Sequence, residues 1–320
     1  MSTITSISPR ISLIDGFDLG LKERTGTYVI QEEKITLVES GPSPSVPHIL
    51  KGLKTLAILP EQVDYLIVTH IHLDHAGGAG LLLEKCPNAK LIVHPKGARH
   101  LVDPSRLIAG AQAVYQDKFD ALFQPIIPID EDRLLIKNDL DTLEIGPNCN
   151  LTFYDTPGHA FHHFSILDPG SNGIFTGDTL GVHYESLAKD GIHFVLPSTS
   201  PNQFNPEAMI ASLERIQSLH VDTIFFGHYS ASHQPVKVYE QVKYWLERFV
   251  SIGKNVEEGN GTVNQLSQLL LTSIQNELDE LGVSRSHPVY EHIQLDLQIC
   301  SIGILDYLRK QEKGKGKGYS

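Results

Sequence analysis

The run Thr69-His70-Ile71-His72-Leu73-Asp74-His75 constrains this chain more than any other stretch. It follows Tyr65-Leu66-Ile67-Val68, an apolar run that reads as a buried strand. Three imidazoles and a carboxylate therefore leave a sheet at one point. While the backbone stays extended, alternate residues share a face, so His70 and His72 point to one spot. Asp74 and His75 come next in the turn, where Gly77, Gly78 and Gly80 permit tight backbone geometry. Imidazole and carboxylate donors suit zinc and similar divalent ions. Four donors on one turn exceed what a single ion with an open position takes, so the spacing points to two adjacent metals. Histidine supply alone does not carry this reading, because 16 histidines occur in 320 residues and a lone one is commonly packed or solvated. The H-x-H-x-D-H spacing at a strand end carries it.

Three later segments repeat the same grammar of apolar strand, small residue and one metal-type donor. Leu151-Thr152-Phe153-Tyr154-Asp155 leads to Thr156-Pro157-Gly158-His159, and Ile174-Phe175-Thr176-Gly177 leads to Asp178. The third, Thr223-Ile224-Phe225-Phe226-Gly227, leads to His228.

In this order the motifs resemble those of the metallo-β-lactamase superfamily of metallohydrolases, over residues 1–235. The resemblance implies an α/β fold, a four-layer αβ/βα sandwich with metals at the sheet edge. It implies one ion held by His70, His72 and His159, a second held by Asp74, His75 and His228, and Asp178 bridging them. No cysteine stands among these positions, which disfavours the β-lactamases that use a cysteine ligand. The flavodiiron branch carries a glutamate where His72 stands, which disfavours a diiron oxygen reductase. Zinc is the expected metal, and the same nitrogen and oxygen donors accept iron or manganese.

Two divalent ions about 3.5–4 Å apart share a water and lower its pKa toward roughly 7. The hydroxide between them is then the nucleophile, and one ion polarises the substrate oxygen. Asp74 is the expected catalytic residue, orienting that hydroxide and passing a proton to the leaving group. His163, four residues past His159, matches a second histidine of several branches. It reads as a partner of a ligand, a substrate contact or a packed core histidine.

The pocket wall is expected from His183 and Tyr184, which follow the bridging aspartate, and from His193, Phe194 and Phe204 in the Gly191–Asn205 loop. A helical insertion from Arg106 to Phe123 adds Tyr115, Phe119 and Phe123, whose i, i+4 spacing also fits plain core packing. Such a wall suits a small acyl or aromatic ligand. The resulting expectation is a hydrolase of an ester-type bond, thioester or lactone, in a small molecule. Gly181 stands where the acyl-homoserine lactonases carry a tyrosine, which departs from that branch. Rival readings are a phosphodiesterase on a small organic phosphate, a signalling effector that keeps the metal core, and a mononuclear iron enzyme of the persulfide dioxygenase type.

Composition narrows the setting. A formal net charge of -12 argues against a sequence-independent nucleic-acid binder. No apolar run approaches the ~20 residues of a membrane span, and Met1–Arg10 lacks the pattern of a secretory signal. Three scattered cysteines, Cys86, Cys149 and Cys300, fit a reduced cytoplasmic setting.

From Pro235 the character changes. Val242, Trp245, Phe249 and Ile252 form one amphipathic stripe, Leu266, Leu270 and Ile274 a second, and Ile293, Leu297, Cys300, Ile304 and Leu308 a third. Residues 1–235 are thus expected to form the catalytic domain and 236–312 a helical appendage, either an active-site roof or a homodimer contact. Residues 313–320, alternating lysine and glycine, are expected to be disordered.

Overall fold

The structure is a computed structural model that describes residues 4–147 and 149–316. In chain order the strands and helices are β1 (Ile4–Ser6), β2 (Ile11–Asp15), β3 (Gly26–Ile30), β4 (Ile35–Val38), α1 (Val46–Thr55), β5 (Val63–Ile67), α2 (Leu73–Ala76), α3 (Ala79–Lys85), β6 (Lys90–Val93), α4 (Pro95–Val102), α5 (Ser105–Tyr115) and α6 (Phe119–Phe123). They continue as β7 (Leu134–Ile136), β8 (Thr142–Gly146), β9 (Cys149–Asp155), β10 (Phe164–Asp168), β11 (Gly173–Phe175), β12 (Val182–His183), α7 (Glu185–Lys189), β13 (Val195–Leu196), α8 (Pro206–Gln217), β14 (Thr223–Phe225) and β15 (Ala231–Ser232). Three long helices close the chain, α9 (Pro235–Glu258), α10 (Val263–Glu280) and α11 (Val289–Gly316).

Chain contacts divide the molecule into two units. The first takes the chain up to Asp155 together with His162–Gly177 and Val221–His233. The second takes Thr156–Phe161, Asp178–His220 and the chain from Gln234 on.

The first unit holds both large sheets. One has seven strands in the order β1 to β7, and the other six in the order β15-β14-β11-β10-β9-β8. Alternation along the strands splits their side chains between two cores. Tyr28 and Ile30 of β3, Val38 of β4, Ile67 of β5 and Ile92 of β6 face a core shared with Phe153, Phe164, Ile166 and Phe175 of the second sheet. Their neighbours Val29, Leu37, Leu66 and Leu91 face a separate core filled by Val46, Ile49 and Leu53 of α1 and Leu82 of α3. A one-residue slip would expose either set, so burial on both faces fixes the register.

Strands β4 to β7 run parallel, as do β11 and β14. Loops leaving β4, β5 and β6 therefore emerge at one edge, and those leaving β11 and β14 at one edge of the other sheet. Carboxyl ends of parallel strands are where open α/β sheets place ligands.

The second unit is built on the stripes of α9 to α11. Trp245, Leu246 and Phe249 of α9, Leu266, Leu270 and Ile274 of α10, and Ile293, Leu297 and Ile304 of α11 share one buried core with Met209 of α8 and Val182 and Leu196 of the β12–β13 hairpin. The backbone of α11 runs to Gly316, so the stretch expected to be disordered begins inside a helix. The rest of that stretch, residues 317–320, lies outside the described residues. Among the described residues no helix is long and apolar enough to cross a membrane. The three cysteines are buried and form no disulfide.

Candidate metal centre

In the first unit His70, His72, Asp74 and His75 leave β5 together, and α2 begins at Leu73 with His72 as its extended N-cap. The rings of His70 and His72 lie 4.6 Å apart between centroids, and those of His70 and His75 4.2 Å apart. Leu73 packs with Phe119 and Phe123, which anchors α2 from the apolar side. Phe119 and Phe123 are themselves almost fully buried, the core-packing outcome of their i, i+4 spacing.

His228 reaches the same place from β14. Tyr28 Oη lies 2.8 Å from the Phe226 carbonyl and 2.5 Å from that of Ser230, pinning both sides of the turn. Tyr229 and Ser230 adopt left-handed φ values of 63° and 70°, which turn the chain back into β15. A methyl group at Gly227 would meet His75 Cε1 at 2.7 Å, so only glycine lets the two loops approach this closely.

The donor atoms of Asp74, His75 and His228 all fall within 4.8 Å of one another. Asp74 Oδ2 lies 3.6 Å from His75 Nε2 and 3.7 Å from His228 Nε2. These separations exceed the about 2.7–3.2 Å of an N–H···O bond. They come close to the about 3.3–3.6 Å edge of a tetrahedron built on bonds of about 2.0–2.2 Å to nitrogen and oxygen. The second unit repeats the spacing, with His159 Nε2 at 3.5 Å from Asp178 Oδ2. By this measure Asp74, His75 and His228 fit a divalent metal ion, and His159 and Asp178 have the spacing of two donors to one.

Partners around the donors set their orientation. Thr69 Oγ1 donates to Glu39 Oε1 at 2.5 Å and lies 3.1 Å from His70 Nδ1. A hydroxyl has one proton to give, so its oxygen accepts from His70 Nδ1–H, which leaves Nε2 as the nitrogen His70 can present to a metal. Glu39 Oε1 also stands 3.4 Å from His75 Nδ1. One buried carboxylate thus orients His70 through Thr69 and lies beside His75, a role the sequence reading missed. The available signal was β4 ending in Val38-Glu39-Ser40, the same grammar of strand and donor.

Two further groups sit close by without having been foreseen. His162 Nδ1 accepts from the Ile71 backbone N–H at 3.4 Å, and its ring lies 5.5 Å from that of His72. Asp18, in the loop between β2 and β3, is buried within electrostatic reach of Asp74, His228 and His75. Burial pushes the Asp18 carboxyl up, and Arg24, 3.4 Å away, opposes that. Nothing local in the sequence marks either residue.

His163 is fully buried and stacks on His70 at 5.0 Å, which places it behind a donor. A methyl group at Gly177 would come within 2.6 Å of His163 Nε2, so the glycine before Asp178 lets that backbone pass. In the second unit, His183 and His193 pair at 5.1 Å, and His193 Nδ1 lies 3.1 Å from Gln241 Oε1 of α9. Burial pulls His183 down to about 4, with His193 acting in the same direction, so the ring is neutral at pH 7. Tyr184 and Phe194 are built into the helical core, Tyr184 Oη donating to Asp296 at 2.9 Å and Phe194 packing edge-on to Trp245.

Residues 24–228 match the sequence model of the metallo-beta-lactamase superfamily. The chain belongs to that superfamily. It is 26% identical over 205 residues to a metallo-beta-lactamase fold-containing protein of Sulfurisphaera tokodaii, across 63% of this chain and 71% of that one. It is 27% identical over 249 residues to diflavin flavoprotein A 1 of Synechocystis, across 73% of this chain but only 39% of that protein's length. Among solved structures, a metallo-beta-lactamase family protein of Thermus thermophilus superposes with a TM-score of 0.67 at 17% identity, covering 96% of this chain and 95% of the other. At that identity the likeness speaks for the fold alone. The αβ/βα sandwich expected from the motifs is thus the superfamily fold, with a C-terminal helical extension formed by α9 to α11.

Proposed function

We propose that this superfamily member is a metal-dependent hydrolase that cleaves an ester-type bond, thioester or lactone, in a small molecule. Its two-metal centre would draw on His70, His72 and His159 for one ion, on Asp74, His75 and His228 for the other, and on Asp178 for both. The observation that carries this reading is donor spacing near the edge of a metal tetrahedron in each unit, at 3.5, 3.6 and 3.7 Å. Every one of these donors follows a strand end of a metallo-beta-lactamase fold.

Bound there, a pair of divalent ions supplies activated water at neutral pH and polarises a carbonyl oxygen. The chain's own contribution is orientation and proton transfer. Glu39, through Thr69, presents His70 by Nε2, and Glu39 itself faces His75. Asp74 is the one half-exposed donor of the Asp74, His75 and His228 set, with 28% of its side chain accessible. It therefore retains the solvent access needed to accept a proton from the attacking water and return it to the leaving group. The all-nitrogen-and-oxygen donor set favours zinc and also accepts iron or manganese.

The similarity to a diflavin flavoprotein supports a second reading, redox chemistry at iron. Against it, His72 stands where the flavodiiron branch carries a glutamate. One panel separates the readings: acyl thioesters, γ-lactones, aryl esters and bis-p-nitrophenyl phosphate, assayed on metal-loaded protein with oxygen uptake followed in parallel. Turnover of a thioester or lactone without oxygen uptake is expected. Turnover confined to the phosphodiester would replace the ester reading, and oxygen uptake without hydrolysis would replace both.

A further inference from the structure

The segment Pro197–Ser200 of the second unit touches both donors of that unit. Ser198 Oγ donates to Asp178 Oδ2 at 2.9 Å, and the Ser198 carbonyl lies 3.1 Å from His159 Nδ1. Two residues on, Ser200 Oγ donates to the His159 carbonyl at 2.5 Å. A carbonyl only accepts, so His159 Nδ1 carries a proton, which leaves Nε2 as the ring nitrogen free to serve a metal. That is the atom 3.5 Å from Asp178 Oδ2. One residue thus sets the tautomer of the histidine and the rotation of the carboxylate.

The other side of this segment is held by α11. Thr199 Oγ1 donates to the Cys300 carbonyl at 2.8 Å, and Cys300 Sγ donates to the Pro197 carbonyl at 3.6 Å. Burial pushes the Cys300 thiol up to about 12, so it stays protonated and able to donate. Three residues along the helix, a methyl group at Gly303 would come within 2.7 Å of the Ser200 carbonyl oxygen. Helix and segment are therefore in backbone contact, and only glycine at position 303 lets them close. Away from the segment itself, Tyr184 Oη to Asp296 adds a tie between α11 and the chain that follows Asp178.

We propose that Ser198 is a positioning residue for His159 and Asp178 together, and that α11 is the splint that holds it in place. Donors fixed before an ion arrives lose less freedom on binding it, so the splint acts on metal affinity. The helical extension would then serve the metal centre through the backbone of residues 197–200. The inference rests on reading His159 and Asp178 as metal donors.

The test uses full-length protein stripped of metal, as wild type and as Ser198→Ala, Ser198→Thr, Thr199→Val and Gly303→Ala. Each is titrated with zinc against a chromophoric chelator, and with cobalt followed by its visible absorption. Ser198→Ala is expected to weaken zinc binding by roughly 10–100-fold, the range for lost ligand-orienting partners. Its cobalt spectrum should change while its metal-free melting temperature stays near wild type. Ser198→Thr keeps the hydroxyl and should recover most of the affinity. Gly303→Ala, and Thr199→Val should that variant fail to fold, should weaken zinc binding in the same direction. Wild-type zinc affinity and an unchanged cobalt spectrum in Ser198→Ala would overturn the inference alone. Wild-type affinity in both Gly303→Ala and Thr199→Val would overturn the role of α11. A wild-type protein that takes up neither metal would instead overturn the metal reading beneath it.

Discussion

Asp74→Ala should lower hydrolytic turnover by roughly 10²–10⁴-fold, the contribution of a positioned general acid–base group. Asp74 combines two properties that its neighbours do not share. Its Oδ2 stands 3.6 and 3.7 Å from the Nε2 atoms of His75 and His228, which makes it a candidate donor beside them. With 28% of its side chain accessible, it is also far more open than His75 at 1%. A donor sealed from solvent has nowhere to pass a proton; Asp74 does. Asp74→Asn separates the two roles, since the amide keeps the shape and an acceptor oxygen but loses the charge and the basicity. It should retain more metal than Asp74→Ala yet recover little turnover. Steady-state kinetics on protein of measured metal content checks this, and an Asp74→Ala variant with full turnover would remove Asp74 from the mechanism.

The second large effect is expected on removing metal. Chelation should abolish turnover and lower the melting temperature, and adding back zinc should restore both. Ligand that binds only the folded state stabilises it by about 4.1 kcal/mol per site at 1,000-fold over Kd. With roughly 2–4 °C per kcal/mol for a sizeable domain, the expected fall is on the order of 10 °C for each site emptied. The physical source lies in the donors themselves. Asp178 is almost wholly buried beside His159, and His75 and His228 crowd Asp74. Buried polar clusters of this kind are held at a desolvation cost that a cation offsets. Thermal melts with chelator, and then with excess zinc, measure the shift directly. Identical melts in both conditions would show that the cluster holds no ion.

The candidate donors could be nominated from the sequence because each follows a short apolar strand, where the two-residue period and the strand end are both visible. The extension was legible for a related reason. Stripes such as Trp245 and Phe249, or Leu266, Leu270 and Ile274, repeat at helical spacing, and these residues are the ones buried in its core. What escaped notice is what only three dimensions bring together. Glu39 carries the strand-end signature, but a single carboxylate after a strand also reads as a turn. Ser198 has no signature, because its role comes from a loop passing both His159 and Asp178. Strands β12 and β13 are two residues each, too short for a period to show. Their pairing nonetheless puts His183 opposite Val195 and carries Tyr184 and Phe194 into the helical core. Aromatic residues near a site motif therefore shape the segment from beneath, and the sequence could not tell that from lining a pocket.

The central claim, a hydrolytic two-metal centre, is tested most directly by counting metal in purified protein and in its His159→Ala and His228→Ala variants. Elemental analysis should find two divalent ions per chain in the wild type and fewer in each variant, with ester or thioester turnover falling in step. One iron per chain, accompanied by oxygen consumption and no hydrolysis, would contradict the account.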